Sequence, residues 1–173
     1  GEIVVFPITE ESIIRTSTKI APHPISDYLS YLTSSHNPYP NKNEAYLKGI
    51  IELLEYEKEY HCENFRIIGE YLIKNMVLKD FLKFYLGNTP YSIDQNFNLI
   101  FNTVSKKGKV KEKKINLGKI FITFKIEKEF SGDITLTRDT DIHSFYISYV
   151  RNTKMNISKL SYCDITGKLD YCI

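Results

Sequence analysis

A chain of 173 residues, 42% hydrophobic and 25% charged, has the composition of a globular protein rather than a disordered one. A chain this long buries roughly 70% of its unfolded surface, so folding does not call for a disulfide or metal staple. A net charge of +2 is too mild to indicate nucleic acid by itself, and no apolar run approaches the roughly 18 residues that cross a bilayer.

Glu2 to Ile8 reads as a strand closed by polar turn residues at Thr9 to Ser12. The next stretch, Arg15 to Pro24, ends in Ala-Pro-His-Pro, where two prolines exclude helix and favour an extended or turn conformation for Ala21 and His23. Ser26 or Asp27 is then placed to cap a short helix through Tyr28, Leu29, Tyr31 and Leu32, with a loop over 34–40. From Asn43 the spacing turns helical. Tyr46, Leu47, Ile50, Ile51 and Leu54 recur on one face, with Glu44, Lys48, Glu52, Glu55 and Lys58 opposite. Further helices are expected over 65–73 and 77–86, the last stopped by Gly87.

After Pro90 the pattern becomes β. Leu99, Phe101 and Thr103 alternate, and Ile120, Ile122, Phe124 and Ile126 alternate with Phe121, Thr123, Lys125 and Glu127. Lys106 to Lys109 fits a hairpin tip between those two strands. Ile142, Phe145, Tyr146, Tyr149 and Val150 predict a helix over 139–150, and strands over 157–163 and 168–173 flank a Thr166-Gly167 turn. The expected fold class is α+β, a mixed or antiparallel sheet with a helical insertion over 43–87, a β-rich part with one helix over 97–173, and a C-terminal β-hairpin. The chain starts without methionine inside a strand-like run and stops inside another, so a single domain cut from a longer chain is expected.

No catalytic constellation stands out. Cys62, Cys163 and Cys172 are an odd set in a chain without a secretion signal, so free thiols in a cytoplasmic protein are expected. Together with His61 they make four zinc-type ligands, but Cys-x8-Cys lacks the short knuckle spacing of zinc sites. On a helix His61 and Cys62 point about 100° apart, which does not make a nucleophile–base pair. Asp139 and Asp141 straddle a helix start, where carboxylates cap, and His143 on the first turn reads as a surface or capping residue. No phosphate-binding glycine loop exists. The expectation is therefore a non-enzymatic protein with no cofactor and no metal.

Two polar segments remain. Lys106, Lys107, Lys109, Lys111, Lys113, Lys114 and Lys119 crowd between Ser105 and Lys119, opposed only by Glu112. They suit either a phosphate backbone or a solvated edge strand whose lysines block pairing. The stretch from Arg15 to Asp27 supplies an arginine, hydroxyls and a histidine on a stiff backbone, as a DNA-reading loop or a plain crossover connection.

Three stretches in order resemble one family. Glu2 to Ser17 followed by Ala21-Pro22-His23-Pro24-Ile25-Ser26-Asp27 to Tyr31 is similar to its first phrase, and Tyr71 to Leu82 to a helix–turn–helix phrase further on. Ile120 to Glu127, Arg138-Asp139 to Tyr149, and Leu160-Ser161-Tyr162-Cys163-Asp164-Ile165-Thr166-Gly167-Lys168 resemble its β-rich stretch. The family is the large subunit of the type I-C CRISPR Cascade, and the likeness covers most of the chain as an N-terminal portion of that subunit. The family phrase often carries Phe-Leu after the proline and Asn after the aspartate, where Pro24-Ile25 and Tyr28 stand here. The resemblance implies a non-enzymatic part in antiviral defence: reading a protospacer-adjacent motif on double-stranded DNA and helping to open the duplex. Its implied partners are the other subunits carrying the CRISPR RNA and a recruited helicase-nuclease, with no membrane. By position it implies DNA contacts at Arg15, Ser17, Lys19, His23 and Asp27, and it favours backbone contact by Lys106, Lys107, Lys109, Lys111, Lys113 and Lys114. The rival readings are an assembly module without autonomous DNA binding, and a thiol- or metal-dependent nuclease.

Overall fold

Pro40 supplies the fixed φ and missing N–H that suit a first helical position, and from it the chain runs as one long helix to Tyr60. The computed structural model describes residues 20, 22–106, 108–127, 134–153, 160–162 and 169–171. In chain order these give β1 (Asp27–Tyr28), α1 (Leu29–Leu32), α2 (Pro40–Tyr60), α3 (Glu63–Ile73) and α4 (Val77–Leu86). There follow β2 (Tyr91–Ile93), β3 (Asn98–Val104), β4 (Val110–Asn116), β5 (Phe121–Ile122), β6 (Lys125–Ile126) and β7 (Ile134–Thr135). Helix α5 (Thr140–Thr153) and the antiparallel pair β8 (Leu160–Tyr162) and β9 (Leu169–Tyr171) close the described chain. The fold is α+β with antiparallel pairing, a helical block between β1 and β2, and a β-hairpin at the C-terminal side. Among the described residues no helix is long and apolar enough to cross a membrane.

Why α2, α3 and α4 sit together follows from their apolar stripes. Tyr46, Ile50 and Leu53 from α2, Phe65, Ile68 and Leu72 from α3, and Val77, Leu78, Leu82 and Leu86 from α4 are buried in one cluster. Each contributes about 1.5–3 kcal/mol by leaving water. The α2–α3 turn is made by His61 in a left-handed conformation (φ 44°), with its N–H donating to the Glu57 carbonyl at 2.8 Å. The buried Glu57 carboxylate accepts the Cys62 N–H at 3.1 Å. Helix α5 closes the cluster: Phe145 stacks on Phe65 at 5.0 Å, and the Tyr149 hydroxyl donates to Glu52 at 3.0 Å. Its start is capped by Asp139, whose Oδ1 accepts the N–H groups of Asp141 and Ile142, both at 2.9 Å.

Four expectations need correction. The strands form four small sheets rather than one: β1–β5, β2–β3–β4, β6–β7 and β8–β9. The alternation over 120–126 is present, with the even-numbered residues half-buried and the odd ones exposed. The backbone nevertheless changes partner midway, from β1 to β7, so a single hydrophobic rhythm serves two pairings. Third, the hairpin with its tip at 106–109 returns through Val110–Asn116, not through 120–126. Strand β4 lies at the edge of its sheet and carries no apolar alternation, so only its ladder with β3 marks it as a strand. Fourth, neither Ser26 nor Asp27 caps α1. Tyr28 is at that position and makes no side-chain cap bond, because Asp27 has been drawn into β1 and its carboxylate turned inward. The expected first strand, Glu2 to Ile8, lies outside the described residues.

Candidate nucleic-acid interface

The segment around His23 is held by one buried carboxylate. Asp27 is 2% exposed; its Oδ2 accepts the His23 N–H and its Oδ1 the Tyr28 N–H, each at 2.7 Å. Beneath it the Tyr46 hydroxyl donates to the Ile25 carbonyl at 2.7 Å. Burial, reinforced by the nearby Asp27 charge, pushes the Tyr46 phenol well above its ordinary pKa, so the hydroxyl keeps its proton as a donor. On the outer side the His23 and Tyr28 rings meet Phe121 edge-on, at 6.5 and 5.4 Å. Tyr28 and Phe121 are about half exposed. Asp27, expected among the DNA contacts, thus serves the loop from inside, and His23 is the described member that reaches the surface. Arg15, Ser17 and Lys19 lie outside the described residues.

The lysines divide by register. Lys111 pairs with Thr103 and Lys113 with Phe101, placing both on the face of β3 that bears Leu99 and Phe101. Glu112 and Lys114 pair with Asn102 and Ile100 on the other face. There Lys114 Nζ meets Asp94 at 2.9 Å. Asp94 also accepts the backbone N–H groups of Asn98 and Asn96. The Asn98 N–H and then the Lys114 ammonium hold the Asp94 carboxyl well below the usual carboxylate range. At the tip, Ser105 and Lys109 exchange bonds: Ser105 N–H to the Lys109 carbonyl at 2.9 Å, and Lys109 N–H to Ser105 Oγ at 3.1 Å. Gly108 supplies the positive φ of 74° that the turn requires. Lys106, Lys109, Lys111, Lys113 and Lys114 are exposed, and Lys107 lies outside the described residues.

The expected site is therefore two patches. Strand β4 runs from the tip to Asn116, and the turn after it packs on α1 next to the His23 segment. Strand β4 itself is seven residues long, roughly 20 Å of extended chain between the lysine tip and that turn.

One surface feature escaped the sequence reading. Phe81, Phe84 and Tyr85 lie at i, i+3, i+4 on α4, a spacing that reads as core. Only Phe81 is half-buried; Phe84 is 91% exposed and Tyr85 is exposed. Phe81 stacks on Tyr85 at 5.5 Å, Tyr85 meets Phe101 edge-on at 5.9 Å, and Lys113 Nζ stands 5.9 Å above the Phe101 ring. The lysine face of β4 is thus continuous with an aromatic face of α4.

A cleft of about 450 Å³ opens between the α2–α3 turn and α5, lined by His61, Cys62, Glu63, Asn64, Asp141 and Ser144 among others. Burial pushes the Cys62 thiol up, and Asp139, Asp141 and Glu57 add to the shift, so a thiolate nucleophile is disfavoured there. No three described His, Cys, Asp or Glu residues are grouped to hold a metal ion, while Cys163 and Cys172 lie outside the described residues. His143 is half-buried on the first turn of α5, its N–H donating to the Asp139 carbonyl at 3.1 Å.

Comparison with family models, with curated proteins and with solved structures finds no match to this chain.

Proposed function

We propose that this chain is a non-enzymatic DNA-binding portion of a type I-C Cascade large subunit, contributing to recognition of the protospacer-adjacent motif and to opening of the target duplex. The observation that carries the reading is the lysine face of β4. Lys111 and Lys113 lie on one side of an exposed edge strand with no ion-pairing carboxylate among the described residues. Uncompensated lysines on a projecting hairpin release counterions when they meet a phosphate backbone. The His23 segment supports the same reading, because its backbone is fixed by a buried carboxylate before any ligand arrives. A loop already in its bound shape loses little entropy on binding. Phosphate contacts by the hairpin would set the position and the His23 segment would approach the bases, the division of labour that protein–DNA interfaces use. Sequence beyond the short motif would be read by the guide RNA.

The test is duplex binding by fluorescence anisotropy over a salt series, comparing the full chain with a Lys111→Ala/Lys113→Ala variant. Affinity that falls with salt, and falls less steeply in the variant, supports the reading. Absence of duplex binding at low salt sinks it and leaves the assembly-module alternative ahead.

A further inference from the structure

We infer that the joined face of α4 and β4 is a stacking platform for an unpaired nucleic-acid strand, with Phe84 and Tyr85 taking bases while Lys111 and Lys113 take phosphates. The inference rests on the DNA-binding reading: it keeps Lys111 and Lys113 as the phosphate contacts, adds the aromatic face of α4 beside them, and names a different strand state.

Three observations converge on it. Phe84 is 91% exposed, whereas its neighbours on the same helix face are anchored: Phe81 stacks on Tyr85 with the rings 9° from parallel. Tyr85 is in turn fixed by its edge-on contact with Phe101. Tyr85 is thus a held ring that loses little side-chain freedom on stacking, and Phe84 beside it offers an open ring face to solvent. Beside it the register puts Lys111 and Lys113 on this face, and Lys113 already stands over Phe101. Glu112 and the Lys114–Asp94 pair lie on the opposite face, so this side of the hairpin keeps its positive charge.

The chemistry selects the occupant. A protein partner would seat the aromatics in an interface core, where lysine is depleted. Duplex DNA keeps its bases stacked on one another and offers only edges and phosphates. A single strand offers base faces at the spacing of its phosphates, and lysine interleaved with aromatic residues is the arrangement that holds it without reading sequence.

The experiment uses the full chain and a labelled oligothymidylate of about 16 nucleotides, beside a duplex control. Phe84→Ala removes a ring that is almost wholly in solvent, so the fold is not at stake. It should weaken oligothymidylate binding about tenfold while leaving the salt dependence and the duplex affinity unchanged. The chain has no tryptophan, so Phe84→Trp adds a single reporter that should retain affinity and lose fluorescence as the oligonucleotide is added. Equal oligothymidylate affinity for Phe84→Ala and the parent, or an unquenched reporter at saturation, overturns the platform. If duplex binding persists in that case, the platform alone falls; if neither ligand binds the parent chain, the DNA-binding reading falls with it.

Discussion

The His23 segment and the β3–β4 hairpin solve opposite problems with charge. In the first, a carboxylate is taken out of water and spent on the chain's own N–H groups, with a protonated tyrosine beneath it. In the second, ammonium groups are left in water on a strand whose hydrogen bonds are those of the ladder. One device fixes shape and the other supplies attraction. A charged residue in a polar stretch can thus belong to either, and burial decides which.

The sharpest way to break this contrast is Asp27→Ala. Two backbone donors would lose a charged acceptor, and the expected loss is about 3 kcal/mol of unfolding free energy in a denaturant titration. Tyr46→Phe removes one buried hydrogen bond and should cost about 1 kcal/mol in the same assay. Its pH dependence sharpens the point. The folded pKa of Tyr46 is raised, so above about pH 10 the unfolded chain loses a proton that the folded chain keeps. Stability contributed by Tyr46 is full below that pH and declines as pH rises toward the folded value, and Tyr46→Phe should flatten that part of the decline. On the hairpin the expectation reverses. Lys111→Ala/Lys113→Ala should change stability by less than about 0.5 kcal/mol while reducing the slope of log affinity against log salt by about 0.9 for each lysine that meets a phosphate. The smallest effect should come from Asp94→Asn, which releases Lys114 from its partner and should steepen the duplex salt slope by at most about 0.9. An unchanged or shallower slope there would show that the opposite hairpin face stays away from DNA.

The helical block was legible because its elements bury one stripe each. Tyr46, Leu47, Ile50, Ile51 and Leu54 announce α2 by spacing, although Leu53 is buried where Ile51 is exposed, and Gly87 marks the end of α4. The cap at Asp139 was legible for the same local reason. The lysine-rich strand was not, since nothing in Val110–Asn116 alternates in polarity and its strand character comes from β3. The aromatic face of α4 was not legible either. Phe81, Phe84 and Tyr85 follow core spacing, yet Leu78, Leu82 and Leu86 already fill the buried side.

By itself the sequence determined the α+β class, the three consecutive helices, the hairpin tip and the amphipathic helix α5. Each of these depends on neighbours within a few residues, where periodicity and turn chemistry act. Only the tertiary structure decided that Asp27 points inward, that the 120–126 stretch divides between β1 and β7, and that Lys113 stands over Phe101 while Lys114 turns to Asp94. Those outcomes depend on pairings between residues far apart in the chain, whose register sets the face each side chain occupies, and a polarity pattern read along one segment carries no information about its partner.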